Sequence, residues 1–126
     1  MRDYEHLATY ERDGFEIVID KTWEELNPTD FFEPCDSGEI NRKINDGTYD
    51  WFMLRVRVMV DSIELSSQYL GGCCYENSED VLTDGTAEDQ ITWALEEAKN
   101  QVYQLSRKFT ELSYRVDAER CAVNSD

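Results

Sequence analysis

WFMLRVRVMVDSIELSSQYL, Trp51–Leu70, is the stretch that decides the fold. Phe52, Leu54, Val56, Val58 and Val60 alternate with Trp51, Met53, Arg55, Arg57 and Met59. A period of two places these sets on opposite faces of one strand. The first set is apolar throughout and must meet a core. The second mixes apolar and cationic residues, so it is half covered or touches something. Asp61-Ser62 makes a two-residue turn, and Ile63–Leu70 returns as the partner strand. Gly71-Gly72 then either breaks that strand or admits a close backbone approach.

Working outward, Tyr10–Asp20 reads as strand, turn, strand. Asp13-Gly14 is the turn, followed by Phe15, Ile17 and Ile19 in alternation. Asn27 and Pro28 suit the start of a short helix, which Pro34 ends. A second short helix is expected over Ser37–Asp46, capped by Ser37 and stopped by Gly47. Ser78 can cap a further short turn through Leu82.

Thr86 opens the last element. Thr86-Ala87-Glu88-Asp89 approximates a capping box, and its acids suit a helix N-terminus. The helix should run from Ala87 to about Tyr114. Ile91, Leu95, Ala98, Val102, Leu105, Phe109, Leu112 and Val116 follow one another at alternating intervals of four and three, a heptad seam. Two roles fit it. It packs on the protein's own sheet, or Leu95, Ala98, Val102, Leu105, Phe109 and Leu112 pair with a second copy to form a homodimer. Residues 117–126 turn polar and are expected to fray. The order of elements predicts one α+β domain over residues 1–126. Two β-hairpins form an antiparallel sheet, short helices lie between them, and a long C-terminal helix crosses one face.

The chain has 126 residues, enough to bury roughly two-thirds of its unfolded surface in one core. Acids number 28 and bases 12, for a net charge of −16. Residues 1–50 hold 14 acids against five bases, residues 51–75 two of each, and residues 76–126 12 acids against five bases. Such a field repels nucleic acids and membrane surfaces and attracts basic proteins. No apolar run is long enough to span a bilayer, and Met1–Tyr10 lacks a signal peptide's apolar stretch. A cytoplasmic location is therefore expected, with Cys35, Cys73, Cys74 and Cys121 as reduced thiols. In a strand, Cys73 and Cys74 would point opposite ways, one of them buried as a small hydrophobe.

Eight acids and no base fall between Glu76 and Glu97: Glu76, Glu79, Asp80, Asp84, Glu88, Asp89, Glu96 and Glu97. Carboxylates three or four apart on a helix lie about 5–6 Å from each other. Phosphates along a DNA strand repeat every ~3.4 Å of rise. A rigid acidic face can therefore approximate a phosphate track, or it can serve as a general protein-binding or solvating surface. Glu24, Glu25, Asp30 and Glu33 would extend it. Trp93 and Tyr103 fall off the heptad seam and are candidate anchors.

Catalysis has little to stand on. His6 is the only histidine and falls in an N-terminus expected to be loose, and no nucleophile–base set assembles around it. Asp80–Ile91 fails as a calcium loop at Leu82 and Ile91. No CxxC pair or phosphate-cradling motif occurs, so no metal, cofactor or catalytic residue is expected. Arg55 and Arg57 alone make no nucleic-acid patch, so direct nucleic-acid binding is not expected.

Asp50–Glu76, DWFMLRVRVMVDSIELSSQYLGGCCYE, resembles a segment of small proteins from tailed bacteriophages and related mobile elements. There, strand, turn and strand lead into a Gly-Gly-Cys-Tyr-like run and an acidic helix. The likeness extends over about Thr9–Phe109. Asp61-Ser62 stands where an Asp-Gly turn is usual. The resemblance implies no established activity and carries no catalytic residues. It does imply a context: compact acidic phage proteins resemble inhibitors of host defence, such as anti-CRISPR or antirestriction proteins. The expected function is a non-enzymatic inhibitor that docks its acidic face on a basic, nucleic-acid-handling host protein or complex. The alternative is a phage accessory or structural protein that self-associates through its long helix.

Overall fold

A computed structural model describes residues 3–124, with side chains for all but Pro34 and residues 121–124. β1 (Glu5–Arg12), β2 (Phe15–Trp23), β3 (Asp50–Val60) and β4 (Ile63–Tyr75) form one antiparallel sheet in the order β1-β2-β3-β4. Between β2 and β3 lie a 3-10 turn (Pro28–Asp30) and α1 (Pro34–Asn45). After β4 come a second 3-10 turn (Ser78–Leu82) and α2 (Thr86–Asn124). The expected α+β architecture is present.

Both tight turns use left-handed backbone, as two-residue hairpins demand. Asp13 and Gly14 have φ of 55° and 87°, and Asp61 and Ser62 have 48° and 69°. Phe15, Ile17 and Ile19 of β2 and Phe52, Leu54, Val56 and Val58 of β3 make the core face. On it lie Ile91, Ala94, Leu95 and Ala98 of α2, all buried. Small residues set the approach of helix to sheet. The Ser66 hydroxyl of β4 donates to the Ala94 carbonyl at 2.6 Å. Two ion pairs tie the β1–β2 hairpin to α2. Arg12 grips Glu88 with both terminal nitrogens, at 2.7 and 2.6 Å, and Lys99 reaches Asp13 at 2.7 Å.

Several sequence expectations are corrected. β4 does not stop at Leu70; it continues to Tyr75 through an irregularity opposite Met53. Gly71 and Gly72 there admit a close approach. A Cβ on Gly71 would stand 2.6 Å from the Glu24 carboxylate, and one on Gly72 would stand 2.6 Å from the Phe31 ring. The Gly72 amide donates to Glu24 at 3.0 Å. Pro34 opens α1 rather than ending a turn, with Glu33 at the N-cap position that Ser37 was expected to fill. Asn77, not Ser78, caps the turn before α2. His6 sits in β1 beside Asp20 rather than in a loose terminus.

The largest difference concerns α2. It passes Tyr114 and stays helical through residues 117–124, where fraying was expected. Every residue from Lys99 to Arg120 is exposed. A segment of 26 residues spans ~39 Å at helical rise, so α2 extends well past the body as an arm. The sheet is too short to cover the helix, and the seam outruns it.

Gly72→Ala should cost about 1–3 kcal/mol, because it combines a left-handed backbone with a clash. Gly38→Ala, inside α1 with open space around it, should instead gain about 0.5–1 kcal/mol. Urea unfolding of the two variants checks both signs.

Candidate partner-binding face

Packing of α2 fixes what its outer face displays. Ile91, Ala94, Leu95 and Ala98 point at the sheet, so Asp89, Trp93, Glu96 and Glu97 point away. Asp89 precedes Trp93 by four positions, and Glu96 and Glu97 follow it by three and four. Residues at those spacings are neighbours on a helix surface. Trp93, 53% exposed, thus stands among three carboxylates. Glu79 and Asp80 project from the 3-10 turn beside the start of α2, which buried Val81 pins to the core, and Glu76 precedes it.

All eight carboxylates expected to bind a partner are exposed, but two of them serve the fold. Glu88 is the Arg12 partner, whose hydrogen bonds hold its carboxyl below the ordinary range. Asp84 accepts from the Thr86 amide at 2.9 Å and from the Tyr75 hydroxyl. It therefore caps α2 in place of the Thr86 capping box. Burial works against the charged form of Asp84, but these hydrogen bonds outweigh it and its pKa is lowered. Glu76, Glu79, Asp80, Asp89, Glu96 and Glu97 have no cationic partner among the described residues.

The two expected anchors part company. Trp93 belongs to the acidic strip. Tyr103 lies on the arm, under the Arg107 guanidinium, which stands 5.8 Å from its ring centre. Glu24, expected to extend the acidic surface, is buried and accepts from the Leu26 and Gly72 amides. The self-association set also divides. Leu95 and Ala98 are buried on the sheet, whereas Val102, Leu105, Phe109 and Leu112 are exposed.

The opposite sheet face carries a cluster that sequence reasoning missed. Asp20, only 4% exposed, accepts from Arg55 at 2.6 Å and from Arg57 at 3.0 Å, with His6 at 3.4 Å. Tyr4 stacks on the Arg55 guanidinium at 3.5 Å. Register brings them together: Asp20 pairs with Arg55 across β2–β3 and with His6 across β1–β2. Burial alone would raise the Asp20 pKa, but hydrogen bonds from Arg55 and His6 and the charges of both arginines lower it. This explains the cationic alternation in β3. Cys73 is buried as a small hydrophobe, and burial pushes its thiol up to about 11. No group of three or more His, Cys, Asp or Glu side chains arranged to hold a metal occurs among the described residues. No helix there is long and apolar enough to cross a membrane.

Asp20→Asn should cost about 3–5 kcal/mol at neutral pH, because it strands two half-buried arginines. A carboxyl with a lowered folded pKa stabilises above its unfolded value of about 3.9 and loses that contribution as pH falls through the folded one. The gap in urea midpoint between wild type and Asp20→Asn should therefore hold at neutral pH and close as the solution is acidified toward the folded pKa.

Compared with known proteins, the chain matches no family model, no curated protein and no solved structure.

Proposed function

We propose that the protein is a non-catalytic binding module that presents the acidic strip of α2 to a basic surface of another protein. The observation that carries this reading is Trp93 among three carboxylates, Asp89, Glu96 and Glu97, that have no cationic partner among the described residues, on the part of α2 packed against the sheet. Carboxylates speed encounter with a cationic groove, and a desolvating aromatic fixes the pose. Lys/Arg grooves of that kind are what nucleic-acid-handling proteins offer to phosphates.

The narrower reading is an inhibitor of a bacterial defence complex, of anti-CRISPR or antirestriction type, acting in the host cytoplasm. The likeness of Asp50–Glu76 to phage proteins and the net charge of −16 support it. The inhibitor would occupy a groove meant for DNA or RNA and would not bind nucleic acid itself.

The test separates surface from fold. Asp89, Glu96 and Glu97 are reversed to Lys, and Glu88 and Asp84 are kept because they hold α2 in place. Phage are plated on bacteria that carry restriction or CRISPR systems and express either form. Wild type should raise plating efficiency on at least one such strain, and the reversal and Trp93→Ala should each abolish the rise at unchanged thermal stability. No rise on any strain, or a rise indifferent to both variants, would overturn the reading.

A further inference from the structure

Beyond Ala98 the seam continues with nothing on it. Val102, Leu105, Phe109, Leu112 and Val116 are each at least 40% exposed. Beside them the β3–β4 turn supplies Val60, Ile63 and Leu65. Together they line a groove of about 760 Å³, floored by Val102, Leu105 and Phe109 and edged by Ser106, Thr110 and Ser113. Ile63 is 62% exposed at its rim. Helices in water draw most of their stability from packing an apolar face, so a bare seam of this length calls for a partner.

We propose that this partner is a second copy of the chain, and that the two arms pair antiparallel about a two-fold axis. This goes beyond the acidic-strip reading and does not depend on it. In heptad terms Leu95, Val102, Phe109 and Val116 take position a, and Ala98, Leu105 and Leu112 take position d. In an antiparallel two-fold pair each a residue meets a d residue, and the contact is reciprocated. One register pairs the exposed seam residues without calling on the core: Val102 with Leu112, Leu105 with Phe109, and their symmetry mates, while Val116 comes to lie over the turn of the partner helix at Ala98, which is itself buried on the sheet. Sliding outward by a heptad sets Val102 against Glu119. Sliding inward calls on Leu95, already buried on its own sheet. Ser106, small and uncharged, then faces its own mate, and the arm of one copy enters the groove beside Ile63 of the other.

Charge selects the direction. Residues 99–124 carry five bases and three acids, and the rest of the chain seven bases and 25 acids. A parallel pair would set two strongly acidic bodies side by side. An antiparallel pair puts them at opposite ends and lays each weakly basic arm beside the other's acidic body. The positions flanking the seam, Lys99, Gln101, Ser106, Lys108, Ser113, Arg115 and Arg120, contain no acid. Lys108 meets its own mate near the axis, a repulsion that salt relieves.

Sedimentation of the full chain should show a reversible dimer by ~100 μM, tighter at high than at low salt. Leu105→Asp and Phe109→Asp should each give monomer with an unchanged urea midpoint when compared at monomeric concentrations. The Asp89/Glu96/Glu97 reversal should remain dimeric. Direction is read from spin labels at Ala118→Cys, with Cys35, Cys73, Cys74 and Cys121 replaced. The proposed register separates the labels by at least ~33 Å along the axis, whereas a parallel pair holds them within ~25 Å. A monomer at every concentration, which would leave the seam to another protein's helix, overturns the proposal. So does a dimer that survives both Asp variants, or the shorter distance.

Discussion

The structure depends on a mismatch of length. The core face of the sheet accepts α2 only from Ala87 to Ala98, through Ile91, Ala94, Leu95 and Ala98, yet the helix continues to Asn124. A single heptad seam therefore has two fates. Its first part is spent on the fold. Its second part stays in water, where apolar area costs roughly 25 cal/mol per Å² relative to burial. The outer face follows from the same packing: once the buried stripe is fixed, Asp89, Trp93, Glu96 and Glu97 can only face outward.

Charge is divided along the same line. The body holds nearly all the acids, and the arm leans basic. A net charge this far from zero works against a compact state through self-repulsion. The fold answers locally, by placing its few cations where they bind elements together. Arg12 joins β1 to α2, Lys21 reaches Asp50 and Ser78, and Arg55 and Arg57 converge on Asp20. The outer strip of α2 has no such answer: Asp89, Glu96 and Glu97 have no cationic partner among the described residues.

How much of this was legible follows from the range of each interaction. The alternation in Trp51–Val60 and the turn residues Asp13-Gly14 and Asp61-Ser62 are local signals, and the sheet followed from them. The seam was legible as a pattern, but where it stops being covered depends on the width of the sheet, which no helical periodicity encodes. Asp20 looked like the polar end of a strand; its burial needs the register that sets it against Arg55 and His6. Glu88 looked like one acid among eight, because its partner Arg12 lies 76 residues away. Glu24 looked exposed, because only the irregularity at Gly71 and Gly72 opens a place for it.

Hydrogen exchange along α2, followed over a range of protein concentration, tests the division of the helix most directly. The account predicts that amides up to Ala98 exchange only through global unfolding at every concentration. Those from Val102 onward should be weakly protected when dilute and gain protection as the chains associate. Uniform protection along the whole helix, indifferent to concentration, would contradict it.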